Sequence, residues 1–232
     1  MKKKLVILTG AGISAESGIP TFRDAVTGLW ENASIEEVCV VGCLEKNAEN
    51  AYRFYKELHD KYKGCKPNQA HKDIAELEKD YDVIVITQNV DNLHEQAGST
   101  KVIHLHGELN KIRAMDDPSL IWDWEDSTEM NEDTIKDGYH IRPHIVMFGE
   151  DVPNIEIAQK IMCDADICVV IGTSFNVYPA AGLIEYVPYG NPIYYIDPNP
   201  AYTPDFPDIK VIKATATEGM KELIQKLQDE EN

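Results

Sequence analysis

Four short runs hold residue types that chemistry needs. Gly10-Ala11-Gly12-Ile13-Ser14 follows the apolar run Lys4 to Thr9, and small residues in such a turn let backbone amides come close to a pyrophosphate. Downstream, Phe22 can cover a sugar or ring face and Arg23 can neutralise phosphate. The second run, Thr87-Gln88-Asn89-Val90-Asp91-Asn92-Leu93-His94, offers a carboxamide and a carboxylate that can hydrogen-bond an amide or a ribose. Asn89 and Asp91 read as functional, and Asn92 as the cap of the next helix. In the third run, His104-Leu105-His106-Gly107-Glu108, alternation puts both histidines on one face of a strand. His106 lies nearer the carboxyl end and is the general-base candidate; His104 reads as structural. Gly172-Thr173-Ser174 and Asp197 end two further apolar runs and offer hydroxyls, amides and a carboxylate to ribose or phosphate. The histidines lack a zinc-protease spacing, so no metal is expected from them.

These groups need a sheet to bring them together. Strands are predicted at Lys4 to Thr9, Val83 to Thr87, Val102 to Leu105, Ile167 to Ile171, Pro192 to Ile196 and Ile209 to Lys213. Helices are predicted at Ala48 to Lys63, Asn68 to Lys79, Ile155 to Cys163 and Glu218 to Gln228. The alternation predicts an α/β fold with a doubly wound, Rossmann-like parallel sheet, whose ligands bind where strands end. Two stretches interrupt it. Residues 35–66 form a helical insert whose Tyr52, Phe54 and Tyr55 read as core. Residues 111–145 form a smaller module, with nine Asp or Glu against one Lys between Met115 and His140 and with Trp122 and Trp124 in its middle.

With 232 residues, 43% of them hydrophobic, the chain suits a single domain, 1–232. A net charge of −18 repels phosphates, which argues against nucleic acid and anionic membranes as partners and favours a basic one such as a lysine-bearing peptide. The five cysteines are an odd number without CxxC spacing, and the five-residue apolar run before Gly10 is too short for export; both point to the cytoplasm. The chain is taken to be a monomer.

In Gly10-Ala-Gly-Ile-Ser14, Gly18-Ile-Pro-Thr-Phe-Arg-Asp24, Thr87-Gln-Asn-Val-Asp-Asn-Leu-His94, His106-Gly, Arg142-Pro-His-Ile-Val-Met-Phe-Gly-Glu150 and Gly172-Thr-Ser, the sequence closely resembles the sirtuins, which are NAD-dependent protein lysine deacylases. The resemblance runs from Gly10 to about Ala216. It implies that NAD is consumed as a co-substrate in a cleft between the Rossmann-like core and the smaller module. It places Gly10, Ala11, Gly12, Ala15, Phe22 and Arg23 around the cofactor loop. Gln88, Asn89, Val90 and Asp91 would hold nicotinamide and its ribose, and Gly172, Thr173, Ser174, Asp197 and Ala216 the adenosine half. The acyl-lysine peptide would be added as a strand between Val146, Met147, Phe148, Gly149 and Glu150 on one side and Phe175 and Val177 on the other, with Tyr55 beside the acyl group. His106 would deprotonate a ribose hydroxyl while Asn89 orients the ribose or a water. Free lysine, nicotinamide and O-acyl-ADP-ribose would result.

Two departures qualify the resemblance. Most sirtuins carry four zinc-binding cysteines between His-Gly and the Arg-Pro motif, whereas this span has none, with Ala114 where a first one is expected. No structural zinc is therefore expected, and the module must hold itself by packing. Sirtuins that prefer acidic acyl groups carry a tyrosine followed three residues later by an arginine. Here Tyr55 is followed by Leu58, so acetyl or a longer neutral acyl group is expected. Asp197 also stands in place of a usual asparagine. The same pocket would also suit an NAD hydrolase, a protein ADP-ribosyltransferase or a non-enzymatic NAD sensor, but Asn89, Asp91, His106 and the Phe-Gly-Glu segment together favour deacylation.

Overall fold

A computed structural model of the chain describes residues 2–21, 35–200 and 209–231. Phe22 and Arg23 lie outside the described residues.

The main sheet has six parallel strands: β1 (Lys4–Thr9), β2 (Asp82–Thr87), β3 (Val102–His104), β8 (Ile167–Ile171), β9 (Ile193–Ile196) and β10 (Lys210–Ile212), in the order β10-β9-β8-β1-β2-β3. The order reverses at β1, between β2 and β8, and such a reversal opens a crevice for a nucleotide at the strand ends. Alternation along the strands sends side chains to two cores. On one face Leu5, Ile7, Val83, Val85, Val169 and Tyr194 pack under the helices α2 (Gln69–Leu77) and α5 (Ala216–Glu231). On the other, Val6, Leu8, Ile86, Val170 and Tyr195 pack under α4 (Ile155–Cys163) and the 3-10 helix Ala180–Tyr186. Because both faces are covered, the strands are apolar runs and not alternating ones.

The predicted strands and long helices all appear, with ends shifted by a few residues. Asn68 caps α2, accepting the Ala70 amide at 2.9 Å, rather than opening the helix. Asn92 occupies the N-cap position of α3 (Leu93–Ala97) but makes no cap bond. Asp91 accepts the Leu93 amide at 3.1 Å instead, while Asn92 accepts the Gln96 side chain at 2.6 Å.

The smaller module at 111–145 is built of strands. β4 (Gly107–Ala114), β5 (Ile121–Asp123), β6 (Ile135–Lys136) and β7 (Tyr139–Ile145) form an antiparallel sheet in the order β5-β4-β7-β6. The sheet begins at Gly107, four residues before the predicted boundary at 111, because β4 follows His106 directly. Leu109, Ile112, Ile141 and Ile145 face Tyr52, Phe54, Tyr55 and Leu58 of α1 (Ala48–Lys63), so the insert and the module share one core. Trp124, 5% exposed, stacks on His59 of α1 with ring centroids 4.4 Å apart. No cysteine falls between His106 and Arg142, so a thiolate zinc site has no donors in this module. Aromatic packing holds it to the helix. Trp124→Ala is accordingly expected to cost about 3–5 kcal/mol, the range for deleting a buried large aromatic; urea unfolding measures it, and a loss within about 0.5 kcal/mol, as at a surface site, would show that Trp124 does not anchor the module.

No helix among the described residues is long and apolar enough to cross a membrane.

Candidate active site

The carboxyl ends of β1, β2, β3 and β8 converge. At the crevice between β1 and β8 the turns after each strand touch through glycine. The Gly10 amide donates to the Ile171 carbonyl at 3.0 Å and the Gly12 amide to the Gly172 carbonyl at 2.9 Å. A Cβ on Gly12 would lie 2.5 Å from the Gly172 Cα, and one on Gly10 2.7 Å from the Gly172 oxygen. The floor can be this low only because side chains are missing on both sides. That is the fit a pyrophosphate requires.

The β2 end is tied to this floor. Thr87 Oγ1 accepts the Thr9 hydroxyl at 2.8 Å and the Asn89 amide at 3.0 Å. The Asn89 carboxamide, 8% exposed, donates to the Gly10 carbonyl and to Ser14 Oγ, each at 3.2 Å. Ser14 in turn donates to Asp91 Oδ2 at 2.9 Å. Burial raises the Asp91 pKa, with the Leu93 amide, the Ser14 hydroxyl and the nearby His104 drawing it back. Gln88 reaches across the crevice, its amide donating to Thr173 Oγ1 at 3.1 Å.

His106 follows β3. Its Nδ1 lies 2.9 Å from the Gln88 carbonyl oxygen. That oxygen can only accept, so Nδ1 carries the proton and Nε2 presents a lone pair. Burial lowers the His106 pKa, and the Gln88 carbonyl raises it only in part. The ring is therefore a neutral base at pH 7. The His106 carbonyl accepts the Val146 amide at 2.9 Å, joining this strand end to the segment after β7.

Comparison with known proteins matches residues 10–179 to the Sir2 family. The chain belongs to the Sir2 family. A protein of Bacteroides thetaiotaomicron named NAD-dependent protein deacylase is 48% identical over 231 residues, covering 97% of this chain and 98% of that protein. A Helicobacter pylori protein of the same name is 46% identical over 227 residues, covering 97% of both chains. Among solved structures, a Sir2 homologue in complex with NAD superposes with a TM-score of 0.85 at 37% identity, covering 98% of this chain and 90% of that one.

The other residues singled out in this Sir2-family chain fall in several places. Thr173 is buried at the β8 end, its carbonyl accepting the Tyr195 hydroxyl at 2.8 Å. Phe175 has a positive φ of 55°, which turns the chain sharply after Gly172-Thr-Ser. Asp197 directly follows β9 and its carboxylate accepts the Asn199 amide at 2.7 Å. Ala15 is exposed on the 3-10 helix Ala11–Ser17, and Ala11 is half-buried at its start. Ala216 is 4% exposed and packs in the core at the start of α5.

On the module side, Phe148 uses both backbone groups on one edge. Its amide donates to the Cys39 carbonyl and its carbonyl accepts the Val41 amide, both at 2.8 Å. An incoming strand cannot pair with Phe148 on that edge. Glu150 shapes this turn. It accepts the Met147 amide at 2.9 Å and Arg142 Nη1 at 2.5 Å, with Arg113 3.5 Å away. Burial opposes its charge, but Arg142 holds the carboxyl below its usual range.

Ser14, Thr87 and Arg142 received no role in the sequence reading. Ser14 carried a signal, ending a Gly-Ala-Gly-Ile turn. Arg142 lay within a quoted motif, but its partner Glu150 became visible only when the turn between them closed.

Proposed function

We propose that this chain is an NAD-dependent protein lysine deacylase, with His106 as its catalytic base. The observation that carries the reading is the neutral His106 ring, its Nδ1 proton committed to Gln88 and its Nε2 lone pair presented at the strand end. When bound, NAD supplies an activated ribose carbon that accepts the acyl oxygen. The chain binds and orients around it. Gly10, Gly12 and Gly172 admit the pyrophosphate, with Ala11, Ala15, Phe22 and Arg23 around the cofactor loop. Gln88, Asn89, Val90 and Asp91 hold the nicotinamide half, and Thr173, Ser174, Asp197 and Ala216 the adenosine half. His106 Nε2 takes a ribose hydroxyl proton. The peptide lies between Met147 to Glu150 on one side and Phe175 and Val177 on the other.

The acyl group is neutral. Tyr55 is buried with its hydroxyl on Cys39 Sγ at 3.5 Å, and Leu58 is buried one helical turn on. Burial raises the Tyr55 pKa well above its ordinary value, so its phenol stays uncharged. Neither side chain brings a cation to a carboxylate. The same reading has the chain act as a cytoplasmic monomer without zinc. Its five unpaired cysteines support the reducing compartment, and its charge of −18 supports a lysine-bearing partner over nucleic acid.

Mass spectrometry of the purified protein with NAD and acetyl-, succinyl- or long-chain acyl-lysine peptides tests this. Peptide-dependent O-acyl-ADP-ribose is expected with the neutral acyl groups. Nicotinamide release without peptide would make the protein an NAD hydrolase, and a peptide gaining ADP-ribose would make it a transferase.

A further inference from the structure

Two residues before the proposed base, on the same strand end, lies a second histidine in a different environment. His104 is 7% exposed and closes β3, paired in register with Thr87. Its Nδ1 is 3.2 Å from the Asn89 carbonyl oxygen and its Nε2 is 2.8 Å from Glu95 Oε1 on α3. We propose that His104, clamped between the Glu95 carboxylate and the Asn89 carbonyl, is a positioning residue: as an imidazolium it fixes the Asn89 to Asp91 loop for NAD. The inference rests on the assignment of that loop to NAD.

Both neighbours of the ring are acceptors, and satisfying both requires a proton on each nitrogen. Burial alone would discharge the ring, but the bond to Glu95 and the carboxylates of Glu95 and Glu108 outweigh it and raise the His104 pKa. Glu95 moves the other way. Burial raises its pKa, yet His104 draws it below its ordinary value. The titratable groups around the ring are Glu95 on α3, Glu108 and Lys111 on β4, Asp91 on the loop, and the His94 and His144 rings, both of which burial pushes toward the neutral form. Among the described residues His106, two residues on, has no carboxylate partner, and its pKa moves the other way. One strand end thus holds an imidazolium and a free base side by side, the pattern of paired titratable groups pushed apart by their surroundings.

The Glu95, His104 and Glu108 ligand atoms lie within 4.8 Å of one another, an arrangement that also occurs around metals. Here both His104 nitrogens are used and Glu108 pairs with Lys111 at 2.9 Å. The cluster is a chain of ion pairs. Its role follows from what it touches: the Asn89 carbonyl belongs to the residue whose side chain meets Gly10 and Ser14, and the positive ring favours the ionised form of buried Asp91.

The test combines nitrogen-detected NMR of the histidine rings with kinetics of the full-length chain on an acetyl-lysine peptide. In wild type at pH 7, both His104 nitrogens are expected to be protonated and one of His106. Glu95→Gln, which alters a part-exposed side chain and should fold, is expected to lower the pH at which His104 discharges by about one unit, by loss of an ion-pair partner. His104→Gln is expected to raise the KM for NAD about tenfold and leave kcat within about threefold, as for loss of a charged hydrogen bond that acts on binding. A neutral His104 at pH 7, or an unchanged KM for NAD in both variants, overturns the proposal. Asp91→Asn separates it from the loop assignment. If Asp91→Asn also leaves NAD affinity unchanged, the loop itself does not hold NAD.

Discussion

His106→Ala is expected to lower kcat by roughly 10²–10⁴-fold, the range for a positioned general base, while the protein keeps its cooperative unfolding transition. The side chain's recorded hydrogen bond runs to the Gln88 carbonyl, so little of the fold depends on it. Its charge state adds a pH signature. Burial lowers the His106 pKa from 6.5, the Gln88 carbonyl recovering part of the shift. The active form is the neutral ring, present above that lowered pKa and lost as the pH falls through it. The acid limb of kcat/KM should therefore lie below pH 6.5, and His106→Ala should remove it. A limb at higher pH, or one that survives the substitution, would assign the base to another group. His104 is the nearest alternative, but its raised pKa would put the limb above 6.5, so one profile separates the two histidines.

That separation was only partly legible in the sequence. Strand alternation put His104 and His106 on one face, and closeness to the strand end favoured His106. The opposite pKa shifts were not legible, because they depend on Glu95, which is nine residues from His104 in sequence and approaches it only when α3 folds back after β2. The main sheet was readable for a simple reason: strands buried on both faces are continuous apolar runs such as Ile167 to Ile171, and turns punctuate them. The module was not. Its β5 and β6 are two or three residues long, and exposed Ile121 and Ile135 break the alternation that identifies a half-buried strand. Its core is completed by α1, some sixty residues upstream, so no local window holds the pattern. The same holds for Phe148, whose edge is covered by Cys39 to Val41 from the insert.

The nucleotide floor depends sharply on a single atom at Gly172. Its φ is +63°, and a Cβ there would lie 2.5 Å from both the Gly12 Cα and the Ile13 amide nitrogen. Alanine meets two penalties at once: a left-handed backbone costing about 1–2 kcal/mol and a backbone overlap of the kind that costs about 1–3 kcal/mol when neighbours must shift. The neighbour is itself backbone, at the turn that would receive the pyrophosphate. Relief must come from moving β1 and β8 apart or from tilting the Gly10 to Ile13 turn. Gly172→Ala is therefore expected to destabilise the protein by about 2–5 kcal/mol in urea unfolding and to weaken NAD binding by calorimetry at least tenfold, on the order of 1.4 kcal/mol. Gly190 isolates the two penalties. Its φ is +89° but nothing lies within 4 Å of its would-be Cβ, so Gly190→Ala should cost only the backbone part, about 1–2 kcal/mol, and leave NAD affinity untouched. Equal losses in the two variants would mean that the close approach of the β1 and β8 turns contributes nothing to the site. A larger loss at Gly172, confined there to both stability and NAD affinity, would show that the nucleotide floor and the sheet's packing are the same contact.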